Sequence, residues 1–316
     1  MTNSLIWDTR VRFVITDVDD TLAPTFCDVR QDVAESLSKL MCRGVRLLLI
    51  SGQSIANICR RVVLQLPPEV RRHVFVAHCN GCEVFGFSGN GKIILPCLWS
   101  SVTPDHQAQV RATLDIVKKA LDEFQLVPTP ALPASDPRRR TVAILDDRQV
   151  QISIDIVEPA SGSTDQGLRS SIAARVNELL AEHGISAIEA RLGGVSGIDC
   201  LPSHVHKGLP VSELMQDGGD GTAGSALASD IGFSKETVCE VWGDQFSVLE
   251  NGSDAQMALA VPPGTRIISF RSFPAWDIPE VSGMRVWPGP RYLDAGLADY
   301  LLAAVSSPRD QYLENY

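Results

Sequence analysis

A short apolar segment that ends abruptly in carboxylates is the feature of this sequence that most restricts its fold. Residues 13–22 read Phe-Val-Ile-Thr-Asp-Val-Asp-Asp-Thr-Leu, which predicts a buried strand followed by an acidic turn. Because alternate residues of a strand project to the same side, we expect Asp17 and Asp19 to point to one place and Asp20 elsewhere. Neighbouring carboxylates repel each other unless a cation offsets their charge, and oxygen ligands suit Mg²⁺. The alternative is an acidic loop that simply follows a buried strand.

Helices and strands alternate after this acidic turn. The spacing of apolar residues predicts a helix, a strand, a helix and a strand over residues 29–41, 45–50, 55–63 and 73–77. This alternation is typical of an α/β fold with a parallel sheet, in which ligands bind beyond the carboxyl ends of the strands. Asp17 and Ser51 lie at two such ends, and the pair Asn80-Gly81 follows the third strand.

The pattern changes between residues 88 and 196. Clustered elements replace the simple alternation there, with helices predicted over 104–124 and 168–183 and strands over 141–145 and 150–157. Clustering of this kind is typical of a separate α+β module. We therefore expect a Rossmann-like α/β core formed by residues 1–87 and 197–316, with an α+β domain of residues 88–196 inserted into it.

The segment after the insert supplies further polar strand ends. Lys207-Gly208 precedes an apolar helix, and a strand predicted over 237–242 ends in Gly243-Asp244. Asp254 immediately precedes a helical segment. A last core strand is predicted over 266–269, a late helix over 292–305, and a loop without an assigned role over 216–229.

Composition and charge exclude several function classes. The net charge is −10 over 316 residues, without a long Lys/Arg run, so neither nucleic acid nor an anionic membrane is an expected partner. No apolar run approaches the roughly 18 residues of a membrane span, and residues 1–4 lack a secretory pattern. We therefore expect a cytoplasmic protein. Cys79 and Cys82 form a C-x-x-C pair without a second pair at metal-ligand spacing, which favours a structural role.

Four of the strand-end features resemble, in order, the sequence motifs of the haloacid dehalogenase (HAD) superfamily of phosphotransferases. The matching segments are Asp17-Val18-Asp19-Asp20-Thr21, Ile50-Ser51-Gly52, Lys207-Gly208, and Gly243-Asp244 with Asn251-Gly252-Ser253-Asp254. Each motif alone is unspecific, whereas all four in this order form a specific signal across the core. The insert lies between the second and third motifs. This is the place of a C2-type cap, of the C2B kind, as in sugar-phosphate phosphatases and eukaryotic-type phosphomannomutases.

The resemblance implies a role for each matched carboxylate. Asp17 would attack phosphorus and form an aspartyl-phosphate, while Asp19 would act as general acid and then as general base. Mg²⁺ would be held by Asp17, Asp19 and Asp244, and the site would be completed by Asp254 or by Asn251.

The resemblance also implies binding residues for a small phosphorylated metabolite. Ser51, Gly52 and Lys207 would bind the phosphoryl oxygens. Candidate contacts to the rest of the substrate are Asn80, Gly81 and Arg191.

Some of these residues have a second interpretation. Ser51 would also serve as the N-cap of the helix that follows it. Lys207 would otherwise be a solvated lysine, and Asn80-Gly81 a simple turn. His204 and His206 are interpreted as loop residues rather than as a metal-binding pair, because the resemblance needs neither as a ligand.

The sequence departs from the family pattern in three respects. Asp20 stands where the commonest first motif has Gly, Asp244 and Asp254 are ten positions apart, and the Arg-rich cap signature of phosphomannomutases is absent, although Arg138, Arg139 and Arg140 lie in the insert. The leading hypothesis is a Mg²⁺-dependent phosphatase acting on a small phosphorylated metabolite, with a sugar phosphate as the first candidate. The alternatives are a phosphomannomutase-like phosphosugar mutase and a non-catalytic HAD-like binding module.

Overall fold

The structure is a computed structural model of the chain. It describes residues 5–130, 142–156, 166–194, 196–216, 225–247, 252–272, 281 and 283–306. The chain divides into two compact units. The core unit comprises Met1–Trp99 and His206–Tyr316, and the inserted unit comprises Ser100–Val205.

The described residues form two sets of regular elements. The strands are β1 (Phe13–Asp17), β2 (Arg46–Ile50), β3 (Val74–His78), β4 (Glu83–Gly86), β5 (Trp99–Ser100), β6 (Val127–Thr129), β7 (Val142–Asp147), β8 (Ile152–Asp155), β9 (Ile188–Gly193), β10 (Gly197–Pro202), β11 (Cys239–Gly243), β12 (Arg266–Ser269) and β13 (Met284–Val286). The helices are α1 (Gln31–Cys42), α2 (Ile55–Arg61), α3 (Pro104–Glu123), α4 (Gln166–Glu182), α5 (Gly208–Met215), α6 (Ala226–Ile231), α7 (Ala255–Leu259) and α8 (Leu293–Ser306).

The core sheet has the strand order β13-β12-β11-β1-β2-β3-β4-β5. The six strands from β13 to β3 are parallel to their neighbours, and β4 pairs antiparallel with β3. β1 is buried along its whole length between β11 and β2. This explains its unbroken apolar sequence, because a parallel strand covered on both faces has no solvent side.

Alternate residues of the central strands pack into two different cores. Val14 contributes to a core that also contains side chains of α1, α2 and α8, whereas Phe13 and Ile15 contribute to a core with side chains of α5, α6 and α7. The sheet is therefore covered by helices on both faces, as the Rossmann-like prediction requires.

The inserted unit contains a separate five-stranded sheet in the order β6-β7-β8-β10-β9. Its apolar side chains pack with those of α3 and α4 in a core of their own. The unit is therefore of the α+β class.

The unit boundaries lie at 99/100 and 205/206, whereas the sequence predicted 87/88 and 196/197. β10 pairs antiparallel with both β8 and β9, so residues 197–205 belong to the inserted unit. At the other boundary, the Leu98 amide donates to Val84 O at 2.8 Å, which keeps the segment before residue 100 with the core.

The predicted loop over 216–229 is wrong at its last four residues, because α6 begins at Ala226. The segment lacks a long apolar period, but Ser225 accepts the Ala228 amide at 3.1 Å and so supplies an N-cap. Residues 217–224 lie outside the described part of the chain. Among the described residues, no helix combines the length and hydropathy that a bilayer crossing requires.

A buried carboxylate ties the core sheet to α8. Glu240 on β11 is completely buried, and it accepts hydrogen bonds from Trp242 Nε1 and from the Tyr300 hydroxyl, both at 2.9 Å. Arg266 Nε lies 3.3 Å from its other oxygen. Burial raises the pKa of Glu240, and the Arg266 charge opposes this rise. The carboxylate thus depends on these donors for compensation.

We expect Tyr300→Phe to lower the free energy of unfolding by about 1–3 kcal/mol, because one buried oxygen of Glu240 loses a donor. The measurement is chemical denaturation followed by circular dichroism. Tyr292→Phe is the matched control, because the Tyr292 side chain is 38% exposed. Equal stability of the two variants would contradict the prediction.

Candidate active site

The polar residues of the candidate site lie where central parallel strands end. Asp17 is the last residue of β1 and pairs in register with Ile50, the last residue of β2. Ser51 follows β2 directly, and Asp244 follows β11 directly. Because these strands are parallel neighbours, their carboxyl ends bring the three side chains to one edge of the sheet.

Lys207 links two of the buried carboxylates. Its Nζ donates to Asp17 Oδ1 at 2.6 Å and to Asp254 Oδ1 at 2.7 Å. Burial by itself lowers the pKa of the Lys207 ammonium, but the charges of Asp17 and Asp254 outweigh that effect and raise it. Lys207 is therefore a buried cation and not the solvated lysine of the alternative interpretation.

A close approach between two helices places Lys207 at the start of α5. A Cβ atom at Gly208 would lie 2.3 Å from Gln256 O, so only glycine allows the start of α5 to pack this tightly against α7. Asp254 stands directly before α7. The packing of the two helix starts therefore brings Lys207 and Asp254 together.

Asp254 also organises the loop that follows β11. Its Oδ2 accepts the backbone amides of Asp244 at 3.0 Å and Gln245 at 2.9 Å. A Cβ atom at Gly243 would lie 2.5 Å from the same oxygen, so the absent side chain of Gly243 makes room for Asp254. The ten-residue separation between Asp244 and Asp254 therefore still brings the two side chains together.

Three carboxylates lie close enough together to share one cation. Asp17, Asp244 and Asp254 each offer an oxygen, and these oxygens lie within 4.8 Å of one another. Burial raises the pKa of Asp17 well above its usual range even though Lys207 opposes this. Burial, followed by the charge of Asp254, raises the pKa of Asp244 to about 7. A divalent cation would offset this unfavourable concentration of negative charge, so the donor set fits Mg²⁺.

Two neighbours orient the Asp244 carboxylate, and the sequence predicted no site role for either of them. Thr21 Oγ1 lies 3.4 Å from Asp244 Oδ1, and Gln245 Nε2 donates to Oδ2 at 2.9 Å. Of the two oxygen-bearing candidates for completing the site, Asp254 is in the carboxylate group, whereas Asn251 lies outside the described residues.

The Asp19 carboxylate belongs to a different group. Arg61 Nη1 donates to its Oδ1 at 2.6 Å, and Ser51 Oγ donates to its Oδ2 at 3.2 Å. Among the described residues, the three-carboxylate group does not include Asp19, although the sequence analysis assigned it to the metal. Asp17 and Asp19 thus engage different partners, Lys207 and Arg61.

The backbone at Asp20 explains the first departure from the family pattern. Its φ is +59°, in the left-handed region that favours glycine and that aspartate tolerates better than most residues. The Asp20 carboxylate accepts the Thr25 amide at 2.9 Å. The side chain is thereby directed to the following loop.

Ser51, Gly52 and Asn80 lie next to one another. The Asn80 amide donates to Ser51 O at 2.9 Å, and a Cβ atom at Gly52 would lie 3.3 Å from the Asn80 side-chain amide. Ser51 Oγ accepts the Gln53 amide at 3.1 Å, but the N-cap of α2 is Ser54, which accepts the Asn57 amide. The helix-capping interpretation of Ser51 is therefore wrong.

Gly81 and Arg191, the other two candidate contacts to the substrate, each pack against or bond to other residues of the protein. At Gly81, φ is +97°, and an added Cβ would meet Pro210 Cδ at 2.7 Å, so the glycine has a packing role beside α5. Arg191 lies on β9 of the inserted unit, where it contacts Glu189 Oε1 at 3.3 Å and donates to Val205 O. Residues 138–140 lie outside the described part of the chain.

Arg61 is the main residue that the sequence analysis missed. It lies three residues after Ile58, on the same buried face of α2, and is completely buried. An arginine at a core position of an amphipathic helix is a sequence signal for a buried charged partner. Its position next to Arg60 hid that signal, because a pair of basic residues at a helix end is usually solvated.

Comparison with models of known protein families finds no match, and comparison with curated proteins finds none either. Several solved structures have a fold similar to that of this chain. The C-terminal domain of a C. albicans trehalose-6-phosphate phosphatase has a TM-score of 0.59 at 16% identity, covering 94% of each chain. A haloacid dehalogenase-like hydrolase from Bacteroides thetaiotaomicron has a TM-score of 0.57 at 14% identity, covering 92% of this chain and 98% of that one. An IMP-bound, N-terminally truncated Plasmodium falciparum IMP-nucleotidase has a TM-score of 0.51 at 12% identity, covering 93% and 68%.

We expect Lys207→Met to lower the free energy of unfolding by about 3–5 kcal/mol, because it leaves Asp17 and Asp254 buried without their cation. Chemical denaturation in a metal-free buffer measures the effect. Lys39→Met, at an exposed position of α1, is the control and should change the stability by less than about 0.5 kcal/mol. A Lys207→Met variant as stable as this control would contradict the buried ion pairs.

Proposed function

We propose that this chain, whose fold is similar to that of haloacid dehalogenase-like hydrolases, is a Mg²⁺-dependent phosphatase of small phosphorylated metabolites. The observation that supports this most directly is the buried Asp17 at the end of β1, with the Lys207 ammonium 2.6 Å from one of its oxygens. A carboxylate nucleophile beside a fixed cation suits attack on an anionic phosphoryl group. We also propose that the inserted unit is a C2-type cap, because it lies between the second and third of the motifs that resemble those of the family.

The metal would be held by Asp17 and Asp244, with Asp254 as a third carboxylate of the same group. When bound, the ion supplies positive charge that offsets repulsion between the carboxylates and an incoming phosphate. Asp254 already bonds Lys207 and two backbone amides, so its main part is to hold the loop after β11 in place.

The first chemical step belongs to Asp17 and Asp19. Lys207 bonds Oδ1 of Asp17, which leaves Oδ2 as the oxygen that attacks phosphorus. As the new bond forms, the bond from phosphorus to the leaving oxygen breaks, and Asp19 gives that oxygen a proton. The products of this step are a phosphorylated Asp17 and the free alcohol.

The second step restores the protein. Asp19, now a carboxylate, removes a proton from a water molecule, and that water attacks the phosphorus of the aspartyl-phosphate. Inorganic phosphate leaves and Asp17 is regenerated. Lys207 and the Ser51 hydroxyl would bind the phosphoryl oxygens that do not react, in both steps.

The substrate class is proposed as a sugar phosphate. One of the similar structures is a trehalose-6-phosphate phosphatase and another is an IMP-nucleotidase with IMP bound. Because both similarities are at low sequence identity, sugar phosphates and nucleoside monophosphates should both be tested, as one panel of substrates. Isomerisation of a hexose phosphate that requires an added hexose bisphosphate would instead indicate the mutase alternative.

We expect phosphate release from at least one sugar phosphate of this panel in the presence of Mg²⁺ and none after chelation. Asp17→Asn should abolish release while retaining substrate binding, because the amide has the same shape and lacks the nucleophilic charge. The measurements are phosphate release and isothermal titration. Asp230→Asn, at an exposed position of α6, is the control. Folded wild-type protein without turnover on any member of the panel would rule out the proposed function.

We expect Mg²⁺ to raise the thermal unfolding temperature of the protein. At a concentration 100 times its dissociation constant, a ligand that binds only the folded state stabilises it by about 2.7 kcal/mol. Asp244→Asn should lose most of this Mg²⁺-dependent shift, and Asp230→Asn should keep it. A full shift in the Asp244→Asn variant would show that the ion binds elsewhere.

A further inference from the structure

We propose that Arg61 is a positioning residue that holds the Asp19 carboxylate in the orientation needed for proton transfer. This inference rests on the proposed function, in which Asp19 is the acid and base. Arg61 lies outside the four motifs, at the C-terminal end of α2. It would join the residues on which the proposed reaction depends.

Each terminal nitrogen of Arg61, and its Nε, has a partner of its own. Nη1 donates to Asp19 Oδ1 at 2.6 Å, Nε to Cys27 O at 2.7 Å and Nη2 to Pro24 O at 2.9 Å. The Arg61 carbonyl accepts the Val29 amide at 2.9 Å. The side chain and backbone of one residue therefore tie α2 to the segment that runs from the acidic turn to α1.

The charge of Arg61 requires Asp19. The guanidinium is completely buried, and burying a cation is costly unless an anion lies against it. The two carbonyl oxygens satisfy hydrogen bonds but provide no opposite charge. Among the described residues, Asp19 is the carboxylate that forms an ion pair with Arg61.

The same pair leaves Asp19 open to a substrate. The Asp19 side chain is 25% exposed, whereas that of Arg61 is 0% exposed. Arg61 thus supports the carboxylate from the protein side, and the solvent side remains accessible. This is the arrangement expected of a buried support behind a group that must exchange protons.

The two oxygens of Asp19 therefore have different surroundings. Oδ1 is bonded to Arg61, while Oδ2 lies 3.2 Å from Ser51 Oγ, the candidate phosphate-binding hydroxyl. We assign proton transfer to Oδ2. It donates its proton to the leaving oxygen when the bond to phosphorus breaks, and it later accepts a proton from the attacking water. The bond from Arg61 at Oδ1 restricts the rotation of the carboxylate and leaves Oδ2, on the Ser51 side, for proton transfer.

Lysine does not reproduce this arrangement. The three acceptors of Arg61 are reached by three different nitrogens, whereas a lysine ammonium presents all its donors from a single atom. Arg61→Lys keeps the charge and loses the fixed fork, so it isolates the effect of orientation from that of charge.

The test compares leaving groups. The variants are Arg61→Lys, Arg61→Met and Asp19→Asn, and the control is Arg60→Met, because the neighbouring Arg60 forms an exposed ion pair with Asp28. For each, kcat/KM is measured on the sugar phosphate that the wild-type protein hydrolyses fastest and on 4-nitrophenyl phosphate. The sugar alkoxide must be protonated as it leaves, while 4-nitrophenolate leaves without a proton.

We expect Arg61→Lys to lower kcat/KM on the sugar phosphate by about 10²-fold, a loss that a displacement of the reacting group by about 1 Å can cause. The loss on 4-nitrophenyl phosphate should be at least about tenfold smaller, and Asp19→Asn should show the same selectivity with a loss of about 10²–10⁴-fold. In the Asp19→Asn background, Arg61→Lys should cause little further loss. Arg60→Met should match the wild type on both substrates.

Equal losses on the two substrates in Arg61→Lys, or unchanged kinetics, would overturn the proposal. Failure of Arg61→Lys to fold, seen by circular dichroism, would also overturn it, because Arg61 would then be a structural residue only. Wild-type protein without turnover would instead refute the proposed function. Selective loss in Asp19→Asn without selective loss in either Arg61 variant would refute the role of Arg61 alone.

Discussion

The candidate site depends on one buried ammonium. Lys207 bonds Asp17 and Asp254 simultaneously, and neither carboxylate is exposed to enough water to be stabilised without it. Through Asp254 the same interaction extends to the backbone amides after β11. These bonds hold together four chain segments that are far apart in sequence, namely the ends of β1 and β11 and the starts of α5 and α7. A site fixed in this way needs little rearrangement when charge develops on a substrate, which is the basis of electrostatic catalysis.

Much of the core was predictable because its physics is local. β1, β2 and β3 are apolar runs with polar ends, and α1 follows the spacing of its apolar residues, so periodicity placed them within a few residues of their observed bounds. The convergence of Asp17, Ser51 and Asp244 follows from the geometry of parallel strands. These predictions needed no knowledge of side-chain contacts.

The parts that the sequence did not reveal depend on contacts between distant segments. Arg61 pairs with Asp19 across 42 positions. Its spacing from Ile58 indicates a buried position, but nothing local in the sequence identifies Asp19 as its partner. The partner of Asp20 was likewise hidden, although its carboxylate was predicted to point elsewhere. The end of the inserted unit was misplaced because the strand Gly197–Pro202 reads like a core strand, and only its antiparallel partners reveal the sheet to which it belongs.

The chain of the inserted unit begins and ends at neighbouring points. Ser101, near its first residue, and His204, near its last, meet through a contact of 3.2 Å between the Ser101 carbonyl and His204 Nε2. The unit is thus a continuous loop of chain that starts and finishes at one place, with a core of its own. Such a segment can be replaced as a whole without rerouting the polypeptide around it. The residues of the three-carboxylate group, Lys207 and Arg61 all belong to the other unit. Evolution can therefore replace about a third of this chain as a module and leave the charged residues of the candidate site unchanged.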